Sequence, residues 1–366
     1  MSPPSRLGHV ARLLGSRAYA TYTAGNAASL IGTWMHRVAV GWLTWELTQS
    51  ATWLGAIAFA DLFPSVLVAP FAGAAADRWD RLRILRLAAM AALGLAIALF
   101  VLSAVGALDI LALFSLTLAL GIVTGIAQPA RLALIAGLVP RADLTTAVAI
   151  NSIVFNLARF IGPMLAGLAI SGSGVALVFA VNALSYGAFL VALLRLPHVS
   201  EQLRPGAAED RRDTDSLGAA LAVGLRYVLG HSAFAPLLGL LLITNLCGRP
   251  FVELLPGFAA RVFAAGPEGL ALMTSAIGLG AIAGAAWLIG RSETRRLALV
   301  TILSTLSLAV AIILFILTET LLVALPVLFV AGTAMVGAGV GTHTLLQLAV
   351  APALRGRVLA LYGLIF

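Results

Sequence analysis

Ionisable residues inside long apolar segments are the features of this sequence most able to do chemistry. Arg37 and Asp61 lie near the middles of the first two such segments, and Arg159 lies near the middle of the fifth. A helix rises about 1.5 Å per residue, which places the three at nearly the same depth. Charges in an apolar medium are expected to face a cavity or one another. The pattern predicts a polar cluster in which Asp61 exchanges a proton, and it fits equally a static Arg37–Asp61 ion pair.

The segments that position these residues define the class of protein. Hydrophobic residues make up 61% of the chain and charged residues 10%, whereas about 25% of an ordinary soluble domain is charged. A helix needs about 20 residues to cross a bilayer, and such runs are too long for barrel strands. We therefore expect an all-α polytopic membrane protein. The predicted spans are Ala20–Glu46, Thr52–Ala76, Ile84–Gly106, Ile110–Gln128, Leu144–Ile170, Gly174–Leu196, Ser232–Pro256, Gly269–Gly290, Leu297–Leu317 and Leu321–Thr342.

The basic residues, all of them arginines, indicate the orientation of these spans. With the N-terminus in the cytoplasm, 19 of the 23 fall on the cytoplasmic side, Arg131 among them. Only Arg261 falls on the opposite side, and Arg37, Arg159 and Arg249 fall within spans. Positive charge is retained on the cytoplasmic side of membrane proteins. We predict a multi-pass membrane protein in contact with lipid, with its N-terminus in the cytoplasm, and no nucleic-acid partner.

An internal repeat predicts how the spans are grouped. A shift of 212 residues carries Ala20 onto Ser232, Arg37 onto Arg249 and Pro140 onto Pro352. Parallel repeats of this kind are typical of one class of secondary transporters. We expect a six-helix bundle over residues 1–196, a cytoplasmic linker over 197–216 and a second bundle over 217–366. The second bundle is expected to be incomplete, because the sequence ends inside an eleventh helix and the repeat predicts a twelfth.

Further polar candidates lie in both halves. Arg249 and Glu253 are four residues apart and share a helix face, although Glu253 also fits an interfacial carboxylate. Trp34 and Asn151, with Arg249, are candidates for the wall of a substrate cavity; Trp34 also fits an interface anchor. Single Cys247 lies in an apolar run and is expected to be buried. Neither metal-ligand spacing nor a nucleophile–base pair is found in the sequence, so we expect no metal, no cofactor and no enzymatic activity.

Two motifs could serve conformational change. Gly73, Asp77, Arg78 and Arg81 form a charged loop between the second and third spans, in which Asp77 can accept hydrogen bonds from arginines or a helix N-terminus. Such a loop can hold two helices together in one state, or it is an ordinary positively charged turn.

Gly162 and Pro163, followed by Gly167, lie within the fifth span. A Gly-Pro pair there weakens the hydrogen-bond ladder and permits a bend or close packing.

These motifs carry a family resemblance. The charged loop resembles the signature loop of the major facilitator superfamily, and the Gly-Pro pair resembles the fifth-helix motif of its antiporters. The fourth span departs from many drug–proton antiporters because it has no arginine at mid-depth. Local sequences are similar to the bacterial drug and siderophore exporter branch; they are Gly32–Met35, Glu46–Ser50, Asn151–Pro163 and Leu354–Val358.

The resemblance implies proton-driven efflux of a small amphipathic compound by a monomer that alternates access between two sides of the membrane. Its small-molecule substrate and protons would be its partners. A metabolite importer of the same fold and a non-transporting membrane fragment or scaffold remain alternatives.

Overall fold

The computed structural model describes residues 6–196, 223, 225–231, 234–288, 294–350, 354, 358, 361–363 and 365. Helices make up nearly all of this part of the chain. Its numbered α-helices are α1 (Arg6–Gly15), α2 (Arg17–Thr48), α3 (Ala51–Arg78), α4 (Arg81–Ala104), α5 (Ile110–Leu138), α6 (Leu144–Ser173), α7 (Val175–Arg195), α8 (Phe234–Glu253), α9 (Gly266–Leu288), α10 (Thr294–Ile316) and α11 (Leu321–Ala349). Short helical turns cover Arg141–Asp143, Leu255–Gly257 and Phe258–Val262.

Length and composition suit most of these helices to a bilayer. Within the described residues, nine helices, α3 to α11, are long and apolar enough to cross a membrane. The 32-residue α2 is long enough as well, but Asn26, His36 and Arg37 make it more polar. Each of the ten predicted spans falls on one of α2 to α11. The prediction of an all-α membrane protein is confirmed.

Several details differ from the sequence predictions. α5 continues to Leu138, ten residues beyond the predicted end, because Pro129 is accommodated inside the helix. Arg131, which we assigned to a cytoplasmic loop, therefore lies within α5. The ten-residue α1 was not predicted, since it is too short to span a bilayer. Cys247 is exposed, not buried as we expected.

Two predicted segments lie wholly or partly outside the described residues. The linker at 197–216 lies outside the described residues, and so does half of the predicted eleventh helix from Arg357 onward, whose described residues are helical.

Contacts within the chain define two compact units. The first comprises Met1–Arg204 with Pro256–Leu272, and the second comprises Pro205–Leu255 with Met273–Phe366. In the first unit α2 packs on α6 and α7, α3 packs on α5, and α4 packs on α5 and α7. A buried cluster joins several of these helices near the start of α2; its larger members are Tyr19, Tyr22, Leu85, Leu134, Phe189 and Leu193.

Side chains complete the ends of helices in the first unit. The Asp80 carboxylate accepts a hydrogen bond from the backbone amide of Leu82 at 2.8 Å and so caps α4. At the C-terminal end of α7, the Arg86 guanidinium of α4 donates to the Leu193 carbonyl at 2.9 and 3.1 Å and to the Leu196 carbonyl at 3.3 Å. These carbonyls lack partners in the last helical turn, so Arg86 fixes the end of α7 against α4.

The second unit is packed through small residues. α11 packs on α8 and α10. The Thr333 hydroxyl of α11 donates to the Gly280 carbonyl of α9 at 2.9 Å, which shows how closely the two backbones approach. α10 exposes an apolar face that suits contact with lipid; it includes Leu303, Leu306, Val310, Ile313 and Leu314.

The segment Pro256–Leu272 packs against the C-terminal end of α2. Gly257 lies against the indole of Trp45, where a Cβ would come within 3.0 Å of the ring. The Arg261 guanidinium lies over the same ring at 5.0 Å from its centre. The left-handed backbone at Ala264 and Gly266, with φ of 47° and 60°, then turns the chain into α9. The C-terminal end of α2 is thereby covered by a segment distant in sequence.

Candidate functional site

An ion pair joins α2 to α3 at the level that the sequence predicted. Arg37 Nη2 lies 2.7 Å from Asp61 Oδ2, and the two side chains are 36% and 29% exposed. The position of Asp61 depends on α5, because Gly121 allows that helix to contact the Ala60 and Asp61 carbonyls, where a Cβ would come within 2.6 Å. The predicted contact is therefore present, and both side chains are partly exposed.

Trp34 extends this pair to α6. The Arg37 guanidinium lies 5.2 Å from the centre of the indole ring, and the Arg159 guanidinium lies 5.5 Å from it. Phe155 of α6 meets the same indole edge-on at 5.8 Å between ring centres. Each guanidinium is within the range of a cation–π interaction. Arg159 thus belongs to the same group of residues as Arg37 and Asp61.

Gly162 explains how α6 comes so close to Trp34. A Cβ at this position would lie 2.5 Å from the Trp34 Cβ and 3.1 Å from the Ile31 carbonyl oxygen. α6 continues through Pro163, and both residues of the Gly-Pro motif are buried. Gly167, further along the helix, packs similarly against Ala271. The motif therefore brings Arg159, three residues before Gly162, to the indole.

Asn151 lies in a polar cluster nearer the start of α2. Its Oδ1 accepts a hydrogen bond from Asn26 Nδ2 at 3.3 Å. The two residues line a cavity of about 10 Å³ together with Tyr19 and Tyr22, which gives room for about one water molecule. The Tyr22 hydroxyl and Asn26 Oδ1 are buried and have no hydrogen-bond partner within the described part of the chain. A water molecule in the cavity would satisfy them.

Sequence reasoning missed Tyr19, Tyr22 and Asn26. Their spacing of three and four residues, which aligns them on one face of α2, could have revealed them. It also missed Arg131, whose guanidinium lies 5.3 Å from the centre of the Phe189 ring. Pro129 was read as the end of a helix; reading it as a tolerated interior proline would have placed Arg131 within the bundle.

The predicted signature loop is described only in part. α3 ends at Arg78, and Arg81 is the first residue of α4. The side chains of Asp77 and Arg78 are not described, and neither are the surroundings of Gly73. Asp80, which the motif does not include, caps α4.

Of the two predicted site residues in the second half of the chain, the structure describes the side chain of one. Glu253 is the last residue of α8 and is partly exposed. The Arg249 side chain lies outside the described residues.

Together these observations define a class of protein. A mid-helix ion pair, an aromatic ring shared by two arginines and a Gly-Pro motif lie together in a bundle of membrane helices. This chain belongs to the major facilitator superfamily. More particularly, it belongs to the transmembrane secretion effector family, which it matches over residues 13–366.

Individual relatives support the assignment. The chain is 28% identical to the staphyloferrin A transporter of Staphylococcus aureus over 252 residues, which cover 68% of this chain and 61% of that protein. It is 29% identical to the uncharacterized transporter YfiS of Bacillus subtilis over 178 residues, or 48% of this chain and 42% of that one. It thus spans less than two thirds of either relative.

A solved structure supports the fold. A bacterial homologue of the iron transporter ferroportin, in an inward-facing state, superposes with a TM-score of 0.65 at 16% identity, covering 95% of this chain and 88% of that one.

Proposed function

We propose that this protein exports a small amphipathic compound, drug-like or siderophore-like, by alternating access driven by the proton gradient. Its membership of a secretion family and its similarity to a siderophore transporter support export of a small molecule. The Arg37–Asp61 ion pair is the observation that carries the proposal for proton coupling, because its negative member is a carboxylate that can be neutralised.

Protonation of Asp61 would deprive Arg37 of its oppositely charged partner. Two unit charges 4 Å apart attract each other by about 4 kcal/mol at an effective dielectric constant of 20, and partial exposure reduces this value. A proton that reaches Asp61 removes most of that attraction. The conformation that holds the pair together is then less favoured than one in which Arg37 finds other partners. Protonation and release could thereby alternate with binding and release of the substrate.

Other residues have proposed roles in the same cycle. Gly73, Asp77, Arg78 and Arg81 would hold the cytoplasmic ends of two helices together in one state. Gly162, Pro163 and Gly167 would allow α6 to bend or slide.

Asn151, Arg249 and Glu253 are the remaining candidates for contact with the substrate or the proton. The arginine distribution supports insertion in a bacterial inner membrane with a cytoplasmic N-terminus, and we propose a monomer as the working unit.

Efflux from intact cells tests the proposal. The chain would be expressed in a bacterial host that lacks its main drug exporters, and retention of the dye Hoechst 33342 would be followed with and without a proton uncoupler, alongside a drug-susceptibility panel. We expect lower retention than in control cells, and we expect the uncoupler to abolish the difference. Asp61→Asn should abolish uphill efflux yet permit downhill exchange in proteoliposomes. Asp109→Asn is a matched control, because Asp109 caps α5 by accepting from the Ala112 amide.

The outcomes separate the alternatives. Increased uptake of compounds from the panel would indicate an importer, and no transport in either direction at normal abundance would indicate a scaffold. Uphill efflux by Asp61→Asn equal to that of the parent would show that coupling lies elsewhere, and Glu253 would then be the next carboxylate to test.

A further inference from the structure

We propose that Trp34 is a positioning residue that transmits the protonation state of Asp61 to α6. The inference rests on the proposed proton coupling at Asp61 and assigns the next step, from the ion pair to a second helix. It gives Trp34 a role different from that of a substrate-cavity wall, and it gives Arg159 a role in coupling.

The geometry forms a continuous path. Asp61 on α3 contacts Arg37 on α2 at 2.7 Å. Arg37 also lies over the indole of Trp34, at 5.2 Å, and Arg159 reaches the same indole from α6, at 5.5 Å. Phe155 adds an edge-on contact from the same helix at 5.8 Å. At this level the indole therefore connects α6 to the Arg37–Asp61 pair.

The charges make this arrangement sensitive to a proton. The charged groups facing the indole are Arg37 and Arg159, and Asp61 contacts the Arg37 guanidinium. Two neighbouring titratable residues, His36 and Tyr186, lie close enough to interact with the charges of Asp61 and Arg37, and the His36 ring packs on Phe179 of α7 with 5.5 Å between ring centres. While Asp61 is ionised, it compensates the charge of Arg37. Once Asp61 is protonated, Arg37 loses that compensation while it still lies over the ring that Arg159 also contacts, so the interaction between the two guanidiniums at the indole becomes more repulsive.

The neighbouring turn of α6 is suited to respond. Gly162 and Pro163 follow Arg159 by three and four residues. Proline has no backbone N–H, so the hydrogen-bond ladder is weakened at this point, and helices commonly bend at such positions. A displacement of Arg159 is thus applied next to the place where α6 deforms most easily. We expect protonation of Asp61 to move the part of α6 beyond Pro163.

A fluorophore on α6 tests this movement. A single cysteine would be placed at Met164, which is 41% exposed, in the full chain with Cys247→Ser. The fluorescence of the labelled protein in nanodiscs would be measured as a function of pH, and counterflow of Hoechst 33342 would be measured in proteoliposomes. The parent should show a pH-dependent change that Asp61→Asn abolishes.

The Trp34 variants distinguish the effect of the aromatic ring from the effect of side-chain volume. Trp34→Leu removes the aromatic face and should abolish most of the fluorescence change, because neither guanidinium then has a ring to contact. Trp34→Phe retains a ring and should retain at least half of the change. Trp53→Leu is the matched control, because Trp53 packs edge-on against Phe114 at 6.4 Å. Arg159→Gln, which leaves Trp34 in place, should also abolish the change.

The possible results are distinguishable. A full pH response in Trp34→Leu or in Arg159→Gln, with the response lost in Asp61→Asn, would overturn the role of Trp34 alone. An unchanged pH response in Asp61→Asn, or none in the parent, would overturn the proposed proton coupling and this inference with it. Loss in Trp34→Leu, partial retention in Trp34→Phe and a normal response in Trp53→Leu would support it.

Discussion

Gly162→Ala tests whether α6 reaches Trp34 because this position has no side chain. The new Cβ would lie 2.5 Å from the Trp34 Cβ, 3.1 Å from the Ile31 carbonyl oxygen and 3.3 Å from the Met35 amide nitrogen. None of these atoms is the flexible end of a side chain, so α2 and α6 must move apart. Overpacking of this kind costs about 1–3 kcal/mol, and alanine recovers about 0.5–1 kcal/mol relative to glycine inside a helix. We expect a net destabilisation of about 1–2 kcal/mol.

Gly187→Ala on α7 is the matched control, because a Cβ there meets nothing within 4 Å. It should be neutral or stabilising by up to about 1 kcal/mol. Thermal unfolding of the purified protein in detergent, followed by intrinsic fluorescence, would compare the two variants. We expect the midpoint of Gly162→Ala to lie several degrees below that of the parent, and the midpoint of Gly187→Ala to equal or exceed it. Equal midpoints for both variants would contradict the close packing of α6 on Trp34.

Three other substitutions test separate parts of the structure. Asp80→Ala should lower stability by about 1 kcal/mol in the same thermal assay, because α4 loses its cap, while Asp80→Asn should not. Asp77→Asn should impair dye efflux at near-normal membrane abundance, measured by immunoblot; unchanged efflux would argue against a gating role for the loop. Trp45→Leu should loosen the segment Pro256–Leu272, so that a cysteine at Val262 in a Cys247→Ser background reacts faster with maleimide. An unchanged labelling rate would show that Trp45 does not hold this segment.

The membrane helices could be predicted from the sequence because each one requires a long apolar run. The starts of α6 at Leu144 and of α11 at Leu321 agree with prediction to the residue. The end of α5 does not, because a proline inside a membrane helix can be tolerated when neighbouring groups satisfy the backbone. The amphipathic α1 gave no comparable signal, since its ten residues are too few for a hydropathy criterion.

The depth of the site residues along their helices could be predicted from the sequence, but the rotation of those helices about their axes could not. Counting residues along two spans placed Arg37 and Asp61 at one level, and the structure brings them into contact. Sequence alone does not show which way each helix face turns. The hydrogen bond between Asn26 and Asn151 and the sharing of Trp34 depend on how α2 is rotated against α6. That rotation is fixed by close backbone contacts such as the one at Gly162, whose partner atoms are distant in the sequence.

The polarity of α2 becomes understandable once its neighbours are considered together. Each ionisable or polar group in the middle of a membrane helix costs several kcal/mol unless it has a partner. Along α2, Asn26 contacts Asn151 of α6, Trp34 contacts Arg159 of α6, and Arg37 contacts Asp61 of α3. The partners that offset this cost therefore lie on different helices. A conformational change that separates these helices must break some of the contacts together, so the same side chains that stabilise one state also set the energy needed to leave it.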